Sequence, residues 1–109
     1  MAIGIGFFQL DNLIRNRIPF FFLKDESDIS SYFGAMEKMH LQNYSILLSE
    51  FSVAAAEAVM KEKGAQVHSP LVVFCKLGDK SKNLAEDLDR KGYANVYYVL
   101  DGLKAFANP

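Results

Sequence analysis

Pro70-Leu71-Val72-Val73-Phe74-Cys75-Lys76-Leu77-Gly78-Asp79-Lys80-Ser81 is the stretch whose reading decides the fold. Leu71 to Phe74 is an unbroken apolar run, the pattern of a strand covered on both faces. A glycine-containing turn follows, and from Ser81 to Lys91 the pattern becomes helical, with Leu84, Ala85 and Leu88 on one face and Gly92 as a stop. A strand, a tight turn and a helix in that order make half of a parallel β-α-β unit, and such sheets place ligands at the carboxyl ends of their strands. Cys75, the only cysteine of the chain, stands at such an end. The N–H groups of the turn and the positive end of the helix dipole favour a thiolate there.

The same alternation continues outward in both directions. Asn95 to Leu100 reads as a strand rich in Val and Tyr, and Asp101-Gly102 turns the chain into a short C-terminal helix containing Leu103 and Phe106. Upstream, Glu50 to Lys63 is Ala-rich and helical, with Lys61 and Lys63 in its last turn and Gly64 beyond it. Tyr44 to Leu48 reads as a strand. Ile29, Tyr32, Phe33 and Met36 fall at helical spacing behind a cap at Ser27 or Asp28, with Gly34 weakening the helix. Ile18 to Leu23 is another apolar strand, Leu10, Leu13 and Ile14 mark a short helix, and Ile3 to Phe8 an edge strand. Strands joined through helices predict an α/β fold, a mainly parallel central sheet flanked by helices on both faces.

Composition narrows the function classes. The chain has 109 residues, half of them apolar, 23% charged, with a formal net charge of -1. That balance predicts a single domain, 1–109, with an ordinary core. No basic run points to nucleic acid or an anionic membrane as partner. A lone cysteine forms no internal disulfide, which fits a reducing compartment, and Met1 to Gln9 lacks the features of a signal peptide. The longest apolar run falls far short of the roughly 20 helical residues that cross a bilayer. A cytoplasmic protein is expected.

From Cys75 onward the chain resembles the rhodanese family. Its members show an apolar strand, Cys-x-x-Gly-x-x-Ser, a helix, Gly-(Tyr/Phe)-x-Asn-Val-Tyr, and a glycine turn before a short helix. The corresponding residues here are Val72 to Cys75, Gly78, Ser81, Gly92-Tyr93-Ala94-Asn95-Val96-Tyr97 and Asp101-Gly102. The match covers about the last forty residues, a combination more specific than Cys-x-x-Gly alone. In the first half, Met39-His40-Leu41 stands where the family has Gly-His-Ile, and Phe22-Leu23-Lys24 where it has Asp-Val-Arg; Lys is no equivalent of a bidentate Arg. The Trp that follows the family's glycine turn is replaced by Phe106. The resemblance implies a rhodanese-like fold and a sulfurtransferase, with Lys24 and His40 as supporting residues.

The chemistry of such a site can be stated from its residues. Cys75 to Lys80 would curl so that several N–H groups face the sulfur, a nest that holds an anion. A Cys75 thiolate attacks the outer sulfur of thiosulfate or a similar donor and becomes a persulfide, stabilised by the same N–H groups. Lys76, Leu77, Gly78, Asp79, Lys80 and Ser81 form the substrate loop: Gly78 closes the turn, Ser81 caps the helix or bonds back to the loop, and Lys76 and Lys80 attract an anionic donor while Asp79 partly offsets them. No cofactor is needed beyond the covalent cysteine persulfide. Without a second cysteine the sulfur passes to an outside thiol, protein or cyanide acceptor. A phosphatase of the Cys-x5-Arg kind requires Arg where this chain has Ser81.

Plainer readings stand beside this one. Free cysteine is often simply buried, so a non-catalytic interaction or regulatory module is the alternative, and a peroxide-sensitive redox sensor a third. His40 and His68 have no partners at ligand spacing, so no metal site is expected. His68 reads as a loop residue, Tyr93, Tyr97 and Tyr98 as packing, and the lysines at 61, 63, 80, 82 and 91 as solvated helix faces.

Overall fold

The computed structural model describes residues 2–16, 19–26 and 45–104. The strands among the described residues are β1 (Ile3–Ile5), β2 (Phe21–Lys24), β3 (Ser45–Leu47), β4 (Leu71–Phe74) and β5 (Val96–Val99). The helices among the described residues are α1 (Phe7–Arg15), α2 (Val53–Glu62) and α3 (Asp79–Lys91). All five strands are parallel, in the order β1-β5-β4-β2-β3. The expected α/β architecture is present. The helix read from Ile29 to Met36, His40, Ile18 and Phe106 lie outside the described residues.

β4 is the central strand, and each of its four residues is fully buried. Successive side chains of a strand point to opposite faces. Val72 and Phe74 therefore join Phe22, Leu10 and Ile14 beneath α1, while Leu71 and Val73 join Met60, Leu84 and Leu88 beneath α2 and α3. Two apolar layers of this kind are what a run without polar interruptions demands; each such side chain contributes about 1.5–3 kcal/mol on burial. Phe22 stacks on Phe74 with ring centres 6.0 Å apart, and Phe20 meets Phe22 edge-on.

Several element ends differ from the sequence reading. The edge strand stops at Ile5 because Gly6, whose N–H is held by the Gln9 side chain at 2.7 Å, caps a helix that starts at Phe7. α2 starts at Val53, where the Ser52 hydroxyl accepts the Ala55 N–H. α3 starts at Asp79, two residues before the Ser81 start that the sequence pattern predicts, since Gly78 at φ +89° ends the loop there. Its far end is Gly92, at φ +114°.

Candidate functional site

The carboxyl end of β4 delivers Cys75 to the middle of the sheet edge, and the chain then needs only three residues to reach α3. That short connection wraps the loop around the sulfur. The backbone N–H groups of Gly78 and Ser81 donate to Cys75 Sγ at 3.1 and 3.3 Å. Ser81 Oγ lies 3.4 Å from the sulfur and donates to the Gly78 carbonyl at 3.2 Å. Cys75 is 2% exposed and Ser81 wholly buried. Two N–H dipoles and the first turn of α3 thus converge on one atom, an arrangement suited to holding negative charge on sulfur.

Two other loop amides are employed differently from the expected nest. The Lys76 N–H donates to Asp25 Oδ2 at 2.8 Å, and the Lys80 N–H to Asp79 Oδ1 at 2.8 Å. The second N–H on the sulfur comes from Ser81, just beyond the six residues expected to supply them. Ser81 is not a helix cap, because α3 has already begun; its hydroxyl closes the loop instead. Lys76, Leu77, Asp79 and Lys80 are exposed, Leu77 by 75%, while Gly78 is half-buried.

Asp25 is the site residue that the sequence reading passed over. Lys24 pairs with Phe74 across the β2–β4 register, which puts Asp25 beside Cys75. Its N–H donates to the Phe74 carbonyl, and its carboxylate takes the first amide of the loop. A signal was present: two parallel strands ending level bring the residues after them together. The Lys24 ammonium donates to the Asp25 carbonyl at 2.8 Å.

The later motif elements support the loop from behind or anchor the far end of the sheet. Asp101 (φ +61°) and Gly102 (φ +56°) turn the chain directly under the cysteine loop, where the Leu103 N–H donates to the Lys76 carbonyl at 2.9 Å. Asn95 works at the amino ends of β4 and β5: its side chain donates to the His68 carbonyl at 2.6 Å and its own carbonyl accepts the Leu71 N–H. His68 takes part through its backbone. Tyr93 donates to Glu57 Oε2 at 2.8 Å, tying α3 to α2. That bond is the largest cause holding the Glu57 carboxyl below its ordinary value, while burial, then Glu57, push the Tyr93 hydroxyl up.

A cleft of about 780 Å³ opens beside the loop, lined among the described residues by Asp25, Glu26, Glu50, Phe51, Lys80, Asn83 and the end of β3. Among the described residues no three His, Cys, Asp or Glu side chains gather as a metal-binding set, and no helix is long and apolar enough to cross a membrane.

No family model matches the chain, and no curated protein matches it by sequence. Solved structures do resemble it. The polysulfide-sulfur transferase homodimer of Wolinella succinogenes superposes with a TM-score of 0.65 at 13% identity, over 97% of this chain and 73% of that one. An uncharacterized protein of Saccharomyces cerevisiae superposes with a TM-score of 0.61 at 16% identity, over 97% and 91%. The fold is the rhodanese-like one.

Proposed function

We propose that this protein is a sulfurtransferase working through a Cys75 persulfide. The observation that carries the reading is the convergence of the Gly78 and Ser81 N–H groups on Cys75 Sγ at the end of the central strand. The fold it shares with a polysulfide-sulfur transferase supports it. In the first step the Cys75 thiolate attacks the outer sulfur of a sulfane donor. A new S–S bond forms, the donor's own bond to that sulfur breaks, and the leaving group departs with the electron pair: sulfite from thiosulfate, a thiolate from a thiol persulfide. In the second step an acceptor thiolate or cyanide attacks the outer sulfur of the Cys75 persulfide, and Cys75 leaves as thiolate. The two N–H groups stabilise the Cys75 thiolate that attacks in the first step and the same thiolate as it leaves in the second. No cofactor is required, the acceptor is a small thiol or a protein thiol, and a reducing compartment such as the cytoplasm suits a site built on one thiol.

The near-complete burial of Cys75 favours a second reading, a binding module in which the thiol is structural. Turnover separates the two. Incubation with thiosulfate or a thiol persulfide and excess cyanide is expected to release thiocyanate faster than donor and cyanide alone, and Cys75→Ser to add nothing to that background. A folded wild-type protein that adds no thiocyanate to the protein-free background from either donor would overturn the transferase reading.

A further inference from the structure

Asp79 is the one charged side chain recorded against the sulfur among the described residues: its Oδ1 lies 3.9 Å from Cys75 Sγ. We propose that this carboxylate selects the donor, turning away dianionic thiosulfate in favour of donors with a single negative charge at the reacting sulfurs, such as thiol persulfides. The inference rests on the sulfurtransferase reading above. Asp79 is exposed while Cys75 and Ser81 are buried, so the carboxylate beside the sulfur is also in reach of solvent. It is held there, because Oδ1 also accepts the Lys80 N–H at 2.8 Å.

Two of the loop's amides are already engaged by carboxylates, that of Lys80 by Asp79 and that of Lys76 by Asp25, while those of Gly78 and Ser81 face Sγ. The described lining of the adjoining cleft sets three carboxylates, Asp25, Glu26 and Glu50, against the single ammonium of Lys80.

Charge bookkeeping then distinguishes the donors. Attack on thiosulfate breaks the S–SO3 bond and expels sulfite, so two negative charges sit within one bond of the moving sulfur and concentrate on the leaving group. Attack on a thiol persulfide anion breaks its S–S bond and expels a thiolate, one charge fewer at the same place. One additional like charge about 4 Å from a carboxylate at a partly exposed site slows the step about tenfold.

The test is the rate of sulfur loading on Cys75 from thiosulfate and from cysteine persulfide, followed by intact mass, in the wild type, Asp79→Asn and Asp79→Glu. Asn retains an acceptor for the Lys80 N–H and removes the charge. The expected result is a rise of about tenfold in the thiosulfate rate relative to the persulfide rate in Asp79→Asn, with Asp79→Glu keeping the wild-type ratio. A ratio unchanged in Asp79→Asn overturns the selection proposal while leaving the transferase reading in place. Loading from neither donor in any of the three folded proteins overturns both.

Discussion

Gly78 and Gly102 lie back to back: a Cβ built on Gly78 would stand 2.9 Å from the Gly102 backbone nitrogen. A Cβ on Gly102 would collide with the Lys76 carbonyl oxygen and stand 2.6 Å from that of Cys75. The turn after β5 is therefore the floor on which the cysteine loop rests, and both glycines have the positive φ that their turns require.

Gly102→Ala adds a left-handed alanine to a position with no room for it. The expected loss of stability is about 2 kcal/mol or more, with slower sulfur loading at Cys75 because the loop is pushed off its floor. Gly64→Ala is the control: Gly64 has φ +80° but open space around its Cα, so only the backbone cost of about 1 kcal/mol applies. Thermal melts of the two variants should separate them, and equal losses would refute the floor role.

Much of this part of the molecule was legible in the chain. The unbroken apolar run from Leu71 to Phe74 announces a strand buried on both faces, and the glycines at 78, 92 and 102 mark turns by chemistry that no other residue supplies as cheaply. The Asp25 contact was harder to see. It depends on which strand lies beside β4 and on where both strands end, which is set across a sequence separation of 51 rather than by any local pattern. The start of α3 was misplaced for a similar reason. Hydrophobic periodicity reports the first residue that packs, Leu84 and its neighbours, while the helix begins where the backbone turns at Gly78. The division of the loop amides between sulfur and carboxylates has no sequence signature, because it is set by side-chain positions within a few ångströms.

Asp25→Ala removes the acceptor of the Lys76 N–H, and Asp25→Asn retains one. Amide exchange at Lys76 is expected to accelerate about tenfold in the Ala variant, the equivalent of a hydrogen bond to a charged group at a partly exposed site, and much less in Asn. Loading of Cys75 should slow in the same order. Exchange unchanged in Asp25→Ala would remove Asp25 from the loop's support.

The Glu57–Tyr93 pair makes stability depend on pH, away from the site. The Glu57 carboxyl is held low chiefly by the Tyr93 hydrogen bond, so its contribution is present above the ordinary carboxylate range and is lost as pH falls through the folded value. Tyr93 is raised, chiefly by burial and then by Glu57, so its contribution is present below its ordinary value of about 10 and is lost as pH rises beyond it. Tyr93→Phe should therefore flatten the fall in melting temperature between about pH 6 and about pH 3. At neutral pH it should leave sulfur loading unchanged. An acid limb as steep as the wild type's would show that the pair is not coupled in solution.

The most direct measurement is the intact mass of the folded protein after incubation with a thiol persulfide and, separately, with thiosulfate, beside Cys75→Ser. The account predicts a gain of one sulfur atom in the wild type from at least one donor, located at Cys75, removed by cyanide and absent from the variant. No gain from either donor, with Cys75 alkylated only on unfolding, would contradict it and leave the thiol as part of the core.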